Sequence, residues 1–184
     1  MEEKIMSKVL IVTGSVRPNS INSKVVELVR ADVEGREGHE AQIADLGELN
    51  LPFFNEVMPP SAEGYEIKDE AVRAWSELVK GADAVVLVSP EYNHSLSGIQ
   101  KNAIDWLFSE WVDKPVAFVA YGWYAGAHSL DQLREISTVL QWKPVEKTVG
   151  LQFSKDIDLD GSVIDDEAVS AGIAEAVDQI LAAK

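Results

Sequence analysis

The chain contains no cysteine, and its 16 lysine and arginine residues are outnumbered by 31 aspartate and glutamate residues. The absence of cysteine excludes thiolate catalysis, cysteine-ligated zinc and a disulfide framework, and it is compatible with a reducing compartment. The formal net charge of -15 argues against nucleic acid and anionic membrane surfaces as partners, because both repel an acidic protein. Any redox chemistry must therefore come from a bound cofactor.

Long apolar runs are also missing, and none approaches the roughly 20 residues that a membrane span requires. The start, Met1-Glu2-Glu3-Lys4, lacks the basic-then-apolar order of a secretory signal. We therefore expect a cytoplasmic protein without membrane contact. Its 184 residues suit a single domain over 1–184, and we find no repeat, low-complexity tract or linker.

Short apolar runs of strand length alternate with segments of helical period. The runs cover residues 9–12, 84–88, 116–121 and 145–151, with a weaker one at 41–46. The helical segments cover 20–34, 67–80, 98–108, 130–140 and 166–181. This alternation predicts a parallel α/β sheet with helices on both faces. Five strands suit a flavodoxin-like sheet in the order 2-1-3-4-5 better than a barrel of eight repeats.

A loop dense in hydroxyl and amide side chains, residues 13–24, follows the first strand. Unpaired backbone N–H groups at the start of the next helix favour an anion. The Ser15 and Ser20 hydroxyls and the Asn22 amide can donate hydrogen bonds, and Arg17 supplies positive charge. The loop is therefore a candidate phosphate site, although Ser20 could simply cap the helix while Arg17 lies in solvent. It matches neither the dinucleotide nor the ATP glycine motif.

The two most informative loops follow the first and third predicted strands. They carry Gly14-Ser15-Val16-Arg17, Ser20-Ile21-Asn22, Pro90-Glu91-Tyr92-Asn93 and Lys101-Asn102-Ala103-Ile104-Asp105-Trp106. In spacing and order along most of the chain, these motifs resemble the NAD(P)H-dependent FMN reductase family. The resemblance implies a flavodoxin-like oxidoreductase that binds FMN and reduces quinones, azo compounds, free flavins or metal oxyanions, often as a dimer or tetramer.

The resemblance also implies roles for particular residues. Those expected to hold the FMN phosphate are Ser15, Arg17, Ser20 and Asn22. Those expected to line the isoalloxazine ring are Pro90, Glu91, Tyr92 and Asn93. Gly122 is expected to permit close approach of the backbone to the flavin. Because the flavin carries the chemistry, we assign no catalytic side chain and no metal ligand.

The leading hypothesis is an enzyme that transfers hydride from NADPH or NADH, through FMN, to a small-molecule electron acceptor, and that forms a homodimer or homotetramer. A non-enzymatic flavodoxin-type electron carrier, whose acidic surface docks basic redox partners, is the alternative. A third possibility is a flavin-free module that binds a phosphorylated ligand. The sequence does not distinguish NADH from NADPH, because no basic cluster marks a 2′-phosphate site.

Structural roles compete with binding roles in the second loop. Tyr92 could pack under the turn, Asn93 could only form the turn, and Glu91 could be a solvated charge. His94 could assist protonation of a reduced substrate, but a single histidine on a polar loop is more often a surface residue. Lys101 and Asp105 have the spacing of an ordinary surface ion pair.

Aromatic residues raise a further question in two places. Trp106, Leu107 and Trp111 could belong to the core or to a subunit interface. In the third loop, Trp123 and Tyr124 could shape a substrate pocket or cover the sheet edge or a subunit contact. This loop departs from the resembled family, which usually has paired glycines where this chain has Ala125-Gly126.

Two further features are a histidine in the third loop and a cluster of carboxylates near the C-terminal helix. His128 is expected to begin a helix, where a cation is unfavourable, so we expect a neutral imidazole or a local partner. Asp156, Asp158, Asp160 and Glu167 satisfy a calcium-loop pattern. A strand precedes this pattern where a calcium loop requires a helix, and we therefore expect a solvated turn that caps the last helix.

The longest connection without structure, 51–65, is of a length often found in binding loops.

Overall fold

The structure, a computed structural model that describes residues 6–183, is built around a parallel sheet. Its strands are β1 (Ser7–Val12), β2 (His39–Ala44), β3 (Ala84–Pro90), β4 (Pro115–Gly122), β5 (Lys143–Pro144) and β6 (Val149–Gln152). The order is β2-β1-β3-β4-β5, with β6 also paired to β4, and every pairing is parallel. The predicted flavodoxin-like order is confirmed.

The fifth position of the sheet differs from the prediction of one strand over 145–151. Two short strands, β5 and β6, occupy it in succession along β4. Between them the chain leaves the ladder, since Lys147 N–H donates to Gln179 Oε1 at 2.8 Å instead of to a strand. The polar residues Glu146, Lys147 and Thr148 lie at this interruption, and the predicted single strand ran through them.

Six helices connect the strands within the described residues. They are α1 (Asn22–Glu34), α2 (Leu46–Leu49), α3 (Glu70–Gly81), α4 (Gly98–Asp105), α5 (Ala127–Leu140) and α6 (Asp166–Ala182). The prediction missed α2, where the Asp45 carboxylate accepts bonds from Gly47 N–H and Glu48 N–H and ends the preceding strand early. None of these helices is long and apolar enough to cross a bilayer.

Side chains alternate between two apolar cores, one on each face of the sheet. Leu10, Leu87 and Phe118 point into the core that also contains α3, α4 and α5. Ile11 and Val88 point into the core shared with α1 and α6. The helices thus cover both faces, as predicted.

The aromatic residues after α4 belong to the first of these cores. Trp106, Leu107 and Trp111 are each at most 2% exposed. Trp111 packs edge-on against Trp75 and Trp142, at ring centroid distances of 5.9 and 5.2 Å. Of the two roles considered for these residues, the structure selects the core.

A buried carboxylate lies at the edge of this core. Glu110 is 8% exposed and accepts hydrogen bonds from the Ser76 hydroxyl at 2.5 Å and the Ser109 hydroxyl at 3.1 Å, with Lys80 Nζ 3.7 Å away. Burial alone would raise the pKa of Glu110, but these hydrogen bonds and the lysine charge outweigh it and hold that pKa below its ordinary value of 4.5. The group therefore stabilises the fold above its ordinary pKa, and this contribution is lost as the pH falls through the lowered value.

We predict that Ser76→Ala lowers the free energy of unfolding by about 1–3 kcal/mol near neutral pH, because the buried carboxylate loses a charge-assisted hydrogen bond. The loss should be smaller at an acidic pH below the lowered pKa of Glu110, where the carboxyl is protonated in both the folded and the unfolded states. Urea unfolding at both pH values measures this. The exposed Ser170→Ala on α6 serves as control, and an equal loss at both pH values would contradict the prediction.

Candidate functional site

Three loops meet at the carboxyl edge of the sheet, after β1, β3 and β4. Parallel strands bring these loops together because all of them end at the same edge. The loop after β1 packs tightly against the end of β3: a Cβ added at Gly14 would lie 2.3 Å from the Val88 carbonyl oxygen and 2.6 Å from Pro90 Cδ. Glycine is therefore required at this position.

Asn22 joins the first two loops from inside the protein. Its side chain is buried, Oδ1 accepts from Gly14 N–H at 3.0 Å, and Nδ2 donates to the Val88 carbonyl at 3.2 Å. The resemblance implied a phosphate contact for this residue. In the structure its amide holds the backbone of the loop after β1 on β3, and the phosphate contact stays a prediction.

Ser15 and Arg17 both contact Tyr92 of the second loop. The Ser15 and Tyr92 hydroxyls share a hydrogen bond of 2.7 Å, and the Arg17 guanidinium lies over the Tyr92 ring, 5.6 Å from its centroid. A guanidinium is attracted by the face of an aromatic ring. The two loops that sequence analysis selected are thus in direct side-chain contact.

Ser20 has a local role that leaves it able to bind a ligand. Its hydroxyl oxygen accepts from Asn22 N–H at 3.2 Å just before α1 begins. Because the oxygen accepts this bond, the hydroxyl proton can still be donated. Ser20 is not the helix cap that one interpretation expected, because Ile21 holds the N-cap position, and its role as an anion donor stays a prediction.

Two cavities adjoin this loop and share Arg17, Asn19 and Ser20. The larger, of 420 Å³, is also lined by the acidic residues Asp45 and Glu48. The smaller, of 280 Å³, is lined by Arg17, Asn19, Ser20, Ile21, Tyr92, Tyr121, Trp123, Phe153 and Leu159. An anion attached to an aromatic ring suits the smaller cavity, because cationic, hydroxyl and aromatic groups surround it without a carboxylate.

A cavity of 550 Å³ elsewhere in the chain is lined by neither of these loops. Its walls come from residues 60–67, from α3 and from residues 108–110, and they include Lys80 and Glu110. Size alone therefore does not identify the site. The chemistry of the linings favours the smaller cavity at the sheet edge.

Tyr121 carries a buried hydroxyl that has no hydrogen-bond partner. Burial raises the pKa of Tyr121, while the Ser20 and Asn22 side chains, close by but outside hydrogen-bonding geometry, and the Arg17 charge oppose the shift. The hydroxyl therefore stays protonated at neutral pH and can act as a donor. An orphaned donor beside Arg17 fits a site that receives an anionic group.

The second loop makes a tight turn over residues 92–95. Tyr92 N–H donates to the Ser95 carbonyl and Ser95 N–H donates back, while Asn93 and His94 have φ angles of 51° and 61°. Asn93 is thus a turn former, as one of the two interpretations held. The N–H groups of Glu91 and Tyr92 already donate within the protein, to Tyr121 and Ser95, so the turn presents the Tyr92 side chain more than these amides.

Glu91 is not the solvated charge that was one of its two interpretations, and its place beside the flavin ring stays a prediction. Its side chain is 5% exposed, and its carboxylate accepts from His128 N–H at 3.1 Å and contacts His128 Nδ1 at 3.2 Å. His128 lies in the first turn of α5, as predicted, and Glu91 is the local partner that this position required. Glu91 therefore links the second loop to the third.

Pro90 and Gly122 end their strands side by side. The Pro90 carbonyl accepts from the Ser129 hydroxyl at 3.1 Å, and the Gly122 carbonyl accepts from Ala125 N–H and Phe153 N–H. The turn that follows replaces the expected glycine pair with Ala125 and Gly126, at φ angles of 54° and 67°. Glycine is needed only at the second position, where an added Cβ would lie 2.4 Å from Ala120 Cβ.

Trp123 and Tyr124 project from this turn and are 58% and 62% exposed. Trp123 packs edge-on against Phe153 at 5.4 Å and lines the smaller cavity. Tyr124 contacts the rings of His94 and His128 instead. Of the two aromatic residues, Trp123 lines the smaller cavity, whereas Tyr124 contacts histidine rings.

The calcium-like pattern forms a local turn. Asp156 accepts from Gln152 N–H, Asp158 from Leu159 N–H, and Asp160 from the Ser162 amide and hydroxyl. Asp165, not a member of the pattern, caps α6. Within residues 6–183, these carboxylates form no group of three with ligand atoms 4.8 Å or less apart.

Sequence analysis missed three residues of the smaller cavity: Tyr121, Phe153 and Leu159. Tyr121 could have been found, since it is the last aromatic residue before Gly122 on a predicted strand. Phe153 and Leu159 follow β6 and carry no motif.

The predicted surface ion pair is present, with Lys101 Nζ 2.6 Å from Asp105 Oδ2.

A flavodoxin-like sheet with a polar loop and an aromatic cavity at its carboxyl edge is typical of proteins that bind phosphorylated ligands. A family model described as NADPH-dependent FMN reductase matches residues 7–156. The chain belongs to this family.

Individual relatives agree with this assignment. An NAD(P)H-dependent FMN reductase of Saccharomyces cerevisiae is 34% identical over 138 residues, covering 70% of this chain and 72% of that protein. A probable NADPH:quinone oxidoreductase of Oryza sativa subsp. japonica is 31% identical over 173 residues, covering 87% and 80%. The structure of FerB, a flavoenzyme NAD(P)H:(acceptor) oxidoreductase from Paracoccus denitrificans, aligns with a TM-score of 0.75 at 25% identity, covering 96% and 98%.

Family membership confirms three sequence-based predictions: the family itself, FMN with NAD(P)H as co-substrate, and an enzyme in place of a non-enzymatic electron carrier. The residues of the smaller cavity fit such a cofactor, because they combine cationic and hydroxyl donors with aromatic surface.

Proposed function

We propose that this chain is a cytoplasmic FMN-dependent oxidoreductase that takes hydride from NADPH or NADH and delivers electrons to a quinone, an azo compound, a free flavin or a similar acceptor. The smaller cavity supports this proposal above all other observations, because it joins Arg17 and Ser20 to the rings of Tyr92, Tyr121 and Trp123. When bound, FMN supplies the redox chemistry, and the protein supplies binding and orientation.

The proposed division of labour among the residues follows their contacts. Arg17 and Ser20 bind the phosphate, Tyr92 contacts the ring, and Ser15 orients Tyr92 through their shared hydrogen bond. Asn22 fixes the backbone of the loop after β1 through its bonds to Gly14 and Val88. On the other side, Pro90, Asn93 and Gly122 bring backbone close to the ring, and Glu91 positions the turn.

We also propose that the whole chain forms one FMN-binding domain and assembles as a homodimer or homotetramer. Exposed apolar side chains in the long loop support assembly: Phe53 is 82% and Val57 98% exposed. Such groups are commonly covered in oligomers. The acidic surface and the lack of cysteine support a cytoplasmic location.

Anaerobic mixing tests the activity itself. FMN-loaded protein should lose its visible flavin absorbance on addition of NADPH or NADH and regain it when a quinone is added. Stopped-flow absorbance measures both steps. A protein that binds FMN but is bleached by neither nicotinamide would be a carrier and not a reductase.

Arg17→Gln should weaken FMN binding by at least about tenfold, because a charge-assisted contact to the phosphate is lost. Fluorescence titration of FMN with apoprotein measures the dissociation constant. Arg30→Gln removes the same charge from α1, where Arg30 pairs with Glu27 and Glu34, and should leave it unchanged. Equal affinities for all three proteins would rule out the assigned phosphate site.

Tyr121→Phe should leave the stability of the apoprotein unchanged or raise it, but should weaken FMN binding. The apoprotein should keep or gain stability, since the substitution removes a buried hydroxyl without a partner. Affinity for FMN should fall several-fold if the cofactor gives that hydroxyl an acceptor. Thermal unfolding with and without FMN measures both effects, and an unchanged affinity would remove Tyr121 from the site.

A further inference from the structure

Three side chains with metal-ligating atoms meet between the second and third loops. Glu91, His94 and His128 each offer one such atom, and these atoms all lie within 4.8 Å of one another. We propose that they form a binding site for one divalent transition-metal ion of the zinc type. This proposal goes beyond the oxidoreductase function and does not depend on it.

The distance between two of the ligands already suits a shared ion. Glu91 Oε1 and His128 Nδ1 are 3.2 Å apart. Ligand atoms at about 2.0–2.1 Å from a tetrahedral Zn²⁺ ion are roughly 3.4 Å from each other. The ion would take the place of the direct contact between the imidazole and the carboxylate.

The third ligand is held in place by its backbone. His94 has a φ of 61°, a left-handed conformation that is uncommon for a residue with a side chain. The turn is closed by hydrogen bonds between Tyr92 and Ser95, and the His94 carbonyl accepts from Gln132 Nε2 at 3.3 Å. Gln132 lies one helical turn after His128 on α5, so the same helix carries one ligand and holds the backbone of another.

The side chain of His94 must turn when the ion binds. Its ring stacks on that of His128 with centroids 4.0 Å apart and an angle of 2° between the planes. A metal ion lies in the plane of each imidazole that binds it, and parallel rings cannot share one ion in that way. His94 is exposed, and rotation about its side-chain bonds therefore disturbs none of the core.

The donor set and charge select the class of ion. Two imidazoles and a carboxylate suit Zn²⁺, Ni²⁺ or Cu²⁺, whereas Mg²⁺ and Ca²⁺ prefer oxygen ligands alone. A cation at the start of α5 is unfavourable by itself, and the buried Glu91 carboxylate offsets this. Three protein ligands leave a coordination position for water or a small ligand.

Calorimetric titration of tag-free, FMN-loaded protein with ZnCl₂ tests the site. We expect one ion per chain, and His94→Ala and His128→Ala should each weaken binding at least about tenfold. His39→Ala removes the remaining histidine of the chain and should change nothing. Excess MgCl₂ should not displace the zinc. The proposal would be overturned if zinc binding did not saturate, if magnesium displaced the zinc, or if all variants bound zinc with the same affinity.

A second measurement needs no substitution and so does not depend on how the variants fold. In NMR spectra of the wild-type protein, ZnCl₂ should shift the ring signals of His94 and His128 and leave those of His39 in place. Movement of all three signals alike, or of none, would contradict the assigned ligands. His128→Ala keeps the backbone N–H that donates to Glu91, and circular dichroism checks that it folds.

Discussion

One buried amide holds together the two loops on which the candidate site is built. Asn22 accepts from Gly14 N–H and donates to the Val88 carbonyl, so the loop after β1 is fixed to the end of β3. A buried polar pair of this kind is costly to break, because each separated group would lack a partner. Gly14 makes the contact possible by leaving room for the Val88 carbonyl. Arg17 and Ser20 take their positions from this junction.

A buried carboxylate connects the second loop to the third in the same way. Glu91 caps the start of α5 through His128 N–H and contacts the His128 ring. Gln132 and Ser129 on that helix hold the turn at residues 92–95. Left-handed conformations at Asn93 and His94 cost free energy, and these contacts offset the cost. The three loops consequently form one rigid edge.

Charge is placed unevenly around the loop after β1 of this acidic chain. The net charge is -15, yet Arg17 lies between two cavities of unlike lining. Hydroxyl groups line both cavities, but the larger one also has the carboxylates of Asp45 and Glu48, and the aromatic rings belong to the smaller one. Local arrangement of charge thus leaves room for an anion in a chain whose net charge opposes one.

The sequence by itself determined the fold, its strand order and the family, because apolar periodicity and turn motifs are local properties of the chain. Loop position and the family resemblance also selected Ser15, Arg17, Ser20 and Tyr92, which the structure brings together at one edge of the sheet. Only the tertiary structure decided that Asn22 and Glu91 face inward, that Phe153 and Leu159 line the cavity, and that His94 meets His128. These facts depend on contacts between residues distant in the chain, which no local pattern encodes.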